Sequence, residues 1–350
     1  MTIESTLAVQ QAFGARRLTH HAGIPGVKRF PGDGYAIFHV MEPEVSIRIL
    51  RSPDFVVANL FSPGLSRLAE RGESLEWVQR FFDQHLLFQG GREHQQRKKY
   101  FYAALKQAGN DLLVSQADIE ARVVRHRHRI ASASAFSRQV VRVSMAWLVA
   151  RLTGVPMPRA MRSVLLRSNV WLPYFHPGRL RRLDRSFSAL YAGRQCPREG
   201  EPGWIEDLAA QSLLVDGFDP ITGSMTASLI EGGSLDFVDD VHRFSPTGYV
   251  MRTCVRPCSI GGVDFEEGDV CLTSLLSSGP STATPGTGRA SPRPSGLAFG
   301  AGVHSCVGKS LSLTILGIGE RIYKANFPEG FPNASVLAPD GAFLGFREVR

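Results

Sequence analysis

The 350-residue chain holds only five cysteines, at positions 196, 254, 258, 271 and 306. They are too few and too scattered for a disulfide framework. Cys254 and Cys258 lie four apart, but no second ligand pair follows at zinc-site spacing, so 196, 254, 258 and 271 read as ordinary thiols. No apolar run approaches the ~20 residues that span a bilayer. The start, MTIESTLAVQQAFGARR, lacks the basic segment and apolar core of a secretory signal. A cytoplasmic protein without membrane contact is therefore expected. Internal repeats and long low-complexity tracts are missing too, and no composition shift marks a boundary, so residues 1–350 are expected to form one domain.

Charge is unbalanced instead. With 40 Lys and Arg against 32 Asp and Glu, the net charge is +8. Basic clusters recur at 92–99 (REHQQRKK), 122–129 (RVVRHRHR) and 179–185 (RLRRLDR). Nucleic-acid binding is disfavoured, because neither aromatic interleaving nor a known binding motif accompanies them. An acidic protein partner and plain solvated helix faces both fit.

The pattern along the chain predicts mostly helix. Residues 35–40 read as a strand and 44–50 as a short helix. Residues 65–113 read as several helical pieces broken at Gly90-Gly91, and 117–154 as two more, stopped at Gly154. From 156 to 205 only short helical pieces are expected. Apolar residues at 208, 214, 215, 218, 221, 225 and 229 predict one long helix over 205–230, buried over most of its surface. Small strands are expected over 250–275, an irregular loop over 277–296, and a last helix from about 307 to 326.

The run FGAGVHSCVG at 299–308 carries the chemistry. It is a Gly-rich loop leading into a helix, with Cys306 placed at the entrance. A helix N-terminus has unpaired N–H groups and partial positive charge, which favour thiolate over thiol. Gly300, Gly302 and Gly308 would let backbone approach a flat partner closely. His304 would reach a carboxylate of that partner. A buried cysteine at a helix start is the plainer reading of the same residues.

The spacing F-x-x-G-x-H-x-C-x-G, met by Phe299, Gly302, His304, Cys306 and Gly308, resembles the haem-binding signature of the cytochromes P450. The resemblance implies a mainly α fold with small β-sheets, haem b as cofactor, and Cys306 as the axial thiolate of the iron. GREHQQRKKYFYAAL resembles the helix whose His and Arg hold a haem propionate. His94 matches, whereas Lys98 stands at the Arg position with Arg97 one place off, giving a point charge without fork geometry. RTCVRPCSIGG is similar to the strand that supplies a further propionate partner, here Arg252. DDVHRFSP resembles the family's E-x-x-R helix, with Asp240 for Glu and Arg243 kept.

The long helix departs from the family. Where a small residue, Gly, any residue, an acid and Thr are usual, this chain reads Asp216-Gly217-Phe218-Asp219-Pro220. The acid stays at Asp219, but Pro220 replaces the Thr that helps deliver protons to bound oxygen. A proline there removes an N–H and clashes with the carbonyl of Asp216, so a kink is expected at that residue. Thr222 is the nearest substitute hydroxyl, although two residues turn a helix by roughly 200°. The intervals 155–216 and 220–240 look short for the lid helices and for the helix that follows the long one. A truncated lid implies an open pocket, with Trp171, Tyr174, Phe175 and Phe218 as candidate lining residues.

The resemblance thus implies a haem-thiolate oxidase or monooxygenase of specialised metabolism, served by ferredoxin or flavodoxin. Its substrate would be large or tethered to an acidic carrier protein, such as an amino acid or peptide, oxidised by coupling, desaturation or hydroxylation. Asp219, Pro220 and Thr222 are the candidate catalytic positions. Alternatives are a peroxide-driven or redox-neutral haem enzyme, and a degenerate member that serves as a recruitment platform.

Overall fold

A computed structural model describes residues 27–31, 34–57, 62–157, 177–192, 195–231, 236–241, 247, 249–275, 297–331, 336–339 and 346–349. The chain divides into two compact units.

The first unit holds the main sheet. Its strands are β1 (Val27–Pro31), β2 (Ala36–Val40), β3 (Phe55–Val57), β4 (Tyr249–Cys254) and β7 (Val270–Ser274), in the order β1-β2-β7-β4-β3. Helix α1 (Pro43–Arg51) follows β2 directly. The hairpin β5 (Cys258–Ile260) and β6 (Val263–Phe265) turns through Gly261 and Gly262, both at positive φ. The expected strand at 35–40 is β2, and every residue from Ala36 to Val40 is buried. It pairs with β1 along one edge and, in parallel, with β7 along the other; with its side chains buried on both faces it needs no polar side. Phe265 packs against Phe38 and Phe55 with centroids 4.7 and 5.3 Å apart, forming the centre of this core. The buried Asp269 closes the turn before β7 by accepting from the N–H groups of Ala36 and Glu266.

The second unit is helical: α2 (Ser62–Glu70), α3 (Glu76–Gln84), α4 (Gly91–Val114), α5 (Gln116–Val124), α6 (Ala133–Thr153), α7 (Pro177–Leu190), α8 (Trp204–Ser212), α9 (Phe218–Glu231), α10 (Phe237–Asp240) and α11 (Lys309–Asn326), with the hairpin β8 (Val336–Pro339) and β9 (Phe346–Val349). Ser132 caps α6 by accepting from Ala135 N–H, and Gly154 ends it at φ 72°. α9 packs chiefly on α6. Gly319 of α11 leaves room for the Met225 side chain of α9, with Val140 of α6 3.5 Å from where a Cβ would lie. No described helix is long and apolar enough to cross a membrane.

Two expectations need correction. The segment after 156 was expected to hold only short helical pieces, but α7 runs for 14 residues. Its Leu180, Leu183, Phe187 and Leu190 are buried at helical spacing, a stripe that the surrounding arginines mask in a compositional reading. The long helix at 205–230 is also not uniform. Between α8 and α9 the chain makes a π-turn over Leu213–Gly217. Pro220 follows it directly on α9, so its missing N–H falls just after the turn in which the ladder widens. The ladder opens as expected, but over five residues rather than at Asp216 alone.

Candidate functional site

In the first unit the loop around Cys306 is built from two 3₁₀ turns, Leu297–Phe299 and Gly302–His304. The Cys306 N–H donates to the Phe299 carbonyl at 2.8 Å, and Ser305 N–H to the Gly302 carbonyl at 3.1 Å. The thiol is exposed, and Phe299 and His304 are half-buried. Cys306 does not open the helix: α11 starts at Lys309 with Gly308 as its cap, so the thiol lies ahead of the first helical turn. Gly300 and Gly302 adopt positive φ, 68° and 73°, whereas Gly308 has φ −85°. The smallness of Gly302 also serves the protein itself. A Cβ there would overlap the Leu50 carbonyl oxygen at the end of α1, with Arg51 Cα 3.1 Å away.

Arg252 stands on β4 between Cys271 and Val57 on the flanking strands. Only 5% of it is exposed, and its one side-chain hydrogen bond among the described residues runs to the Met251 carbonyl at 2.8 Å. Within the same set no carboxylate meets it. Burial therefore pushes its pKa down to about 10. A buried cation without an anion fits an incoming carboxylate, and this is the observation that makes a haem propionate suitable here.

In the second unit, His94 is buried on α4, its Nδ1 3.0 Å from the Leu86 carbonyl. A carbonyl only accepts, so Nδ1 carries the proton. Lys98 is half-buried one turn on. Arg97 is committed elsewhere: it pairs with Glu93 and Glu199 and lies 5.1 Å over the Trp204 ring. Asp219 is buried near the start of α9. Thr222 is 8% exposed, and its hydroxyl oxygen has no hydrogen-bond partner among the described residues. Phe218 is fully buried core rather than pocket lining. Arg243, Trp171, Tyr174 and Phe175 lie outside the described residues; Asp240 is buried.

One polar pair has no counterpart in the motifs. His85 Nε2 lies 2.7 Å from Asp216 Oδ2. Leu87 N–H donates to His85 Nδ1 at 3.2 Å, which assigns the ring proton to Nε2, facing the carboxylate. The ring packs edge-on to Phe81 at 4.8 Å and near Phe88 at 5.4 Å. The available signal was Asp216 itself, an acid where the family has a small residue; nothing local marked His85. Asp216→Ala leaves a buried imidazole N–H unpaired. It should lower the unfolding free energy by about 1–3 kcal/mol in denaturant titration, and His85→Phe should recover part of that loss.

No protein-family model matches the chain, and no curated protein matches its sequence. Solved structures do match its fold. P450BioI, in complex with an acyl carrier protein ligated to hexadec-9Z-enoic acid, aligns over 97% of this chain and 96% of its own with TM-score 0.66 and 17% identity. CxnD, a cytochrome P450 for C–S bond formation in chuangxinmycin biosynthesis, aligns over 97% and 92% with TM-score 0.65 and 17% identity. PksS of the Bacillus subtilis 168 bacillaene polyketide synthase aligns over 99% and 96% with TM-score 0.64 and 13% identity. At such identities the likeness shows architecture, and that architecture is mainly helical with small sheets: the chain has the cytochrome P450 fold.

Proposed function

We propose that the chain is a haem-thiolate oxidoreductase of specialised metabolism, with Cys306 as the axial ligand, acting as one domain over 1–350. The observation that carries this is Arg252, a buried cation without an anion among the described residues, on a chain whose Cys306 motif calls for a dianionic cofactor. Bound haem would supply one-electron and oxygen chemistry at its iron. The chain's own residues would do the rest. Arg252, His304, His94 and Lys98 would neutralise the propionates, and Phe299 and Gly308 would frame the thiolate loop.

In the second unit, Asp219, Thr222 and the His85–Asp216 pair are the groups able to hold or move a proton. The hydroxyl lost at Pro220 has no equivalent at that position. Pro220 itself has no N–H to offer the carbonyl of Asp216 one turn back. A peroxide-driven or redox-neutral reaction is the second reading, and Pro220 is the feature that favours it. Pro220→Thr decides between them. If oxygen delivery is limited by the missing hydroxyl, the variant gains product per electron consumed at least several-fold with a ferredoxin or flavodoxin system. An unchanged ratio in that system, with peroxide supporting turnover equally in both proteins, sinks the proton argument.

The intervals 155–216 and 220–240, which read as short, and the basic clusters would suit a substrate delivered on an acidic carrier protein; P450BioI is in complex with a ligated acyl carrier protein.

A further inference from the structure

α5 and α6 lie side by side in the second unit, and the cleft they share with Met157 has a volume of about 430 Å³. Its polar lining comes from two helix faces. Arg122, Arg125 and His126 follow i, i+3, i+4 spacing at the end of α5, and Gln139 and Arg142 lie one turn apart on α6. The floor is apolar: Val143, Ala146 and the buried Met157. Such a volume is that of an ordinary small-molecule site.

The charges do not balance within the cleft. Among the described residues no Asp or Glu lines it, and Arg122 and Arg125 meet no carboxylate. Gln139 turns its oxygen to Arg142, which fixes the amide orientation. The Nε2 of that amide is then buried without an acceptor among the described residues. Each of these polar groups is thus able to donate, and Arg122 and Arg125 bring like charge to the same wall of the space. A ligand that satisfies them must offer several acceptor oxygens and more than one negative charge, with an apolar part for the floor. A carboxylate offers two oxygens; a phosphate monoester offers three, with the geometry that guanidinium forks match.

We propose that this cleft is a binding site for a phosphate-bearing small molecule, held by Arg122, Arg125, Arg142 and the Gln139 amide, with its organic part on Val143, Ala146 and Met157. Isothermal titration of the full chain with AMP, and separately with inorganic pyrophosphate, tests it at low ionic strength. Saturable binding at one site per chain is expected. Affinity should fall at least about tenfold in Arg125→Gln/Arg142→Gln, from the loss of two charge-assisted contacts. Gln139→Leu, which changes no charge, should also bind more weakly. Arg321→Gln, an exposed arginine of α11 outside the cleft, should bind as the parent does. No saturable binding of either probe, or a loss in the double variant no greater than in Arg321→Gln, overturns the proposal. Circular dichroism of each variant shows whether the helices persist. Should the double variant lose them, the comparison of Gln139→Leu with Arg321→Gln decides: equal affinities overturn the site, and a weaker Gln139→Leu supports it.

Discussion

Replacing Arg252 by Met is expected to stabilise the haem-free chain and to weaken its hold on haem. The guanidinium is buried, bonded to the Met251 carbonyl, and faces no described carboxylate. Its pKa, pushed down by burial to about 10, corresponds to a desolvation cost on the order of 3 kcal/mol. The sign follows from proton counting. Burial lowers the pKa of a cation, so from about pH 10 up to the ordinary arginine range the unfolded chain binds more protons than the folded one. Stability from this group rises with pH only in that window, and at neutral pH the full penalty stands. Met keeps much of the volume and removes the charge, so the thermal midpoint of haem-free Arg252→Met should rise. With haem bound the sign reverses, because the propionate would lose its partner, and haem transfer to an acceptor such as apomyoglobin should be faster by about tenfold or more. A midpoint that falls in both states would make Arg252 a structural residue of β4 and remove the anion argument.

Gly302→Ala should be the most damaging small change in the Cys306 loop. Two costs add at that position. The backbone sits at φ 73°, and the new Cβ would overlap the Leu50 carbonyl oxygen. Backbone cannot swing away as a flexible side chain would, so together these should cost about 3 kcal/mol or more. Gly300→Ala shares the positive φ, 68°, but its nearest atoms stand 4.0 Å off, which predicts only about 1 kcal/mol. Gly308, at φ −85°, should accept Ala with little change. Denaturant midpoints of the three variants, made without haem, test this ranking. Equal losses at 300 and 302 would show that the loop does not rest on the end of α1.

Much of this protein was legible in its sequence, for identifiable reasons. Helix ends were marked where a residue's own chemistry sets them: Gly90-Gly91 before α4, Gly154 after α6, and the glycines before α11. The Cys306 motif was legible because five residue types at fixed spacing leave little to chance. What stayed hidden depends on distant partners. β2 could not show that it lies between two strands, and α7 carried its apolar stripe under a run of arginines. The spacing of Gly302 suggested a flat partner, whereas the atom that forbids a side chain is the Leu50 carbonyl oxygen. His85 lies 131 residues from Asp216, and no local pattern joins them. Pro220 announced a disturbed helix, but the π-turn that absorbs it starts upstream, at Leu213.

The central claim is that Cys306 ligates haem iron as a thiolate. Its most direct test is the absorption spectrum of the purified protein, reduced with dithionite and exposed to carbon monoxide. A strongly red-shifted Soret band is expected, abolished in Cys306→Ala while Cys258→Ala keeps it. A protein that takes up no haem, or a band typical of a neutral ligand, would contradict it.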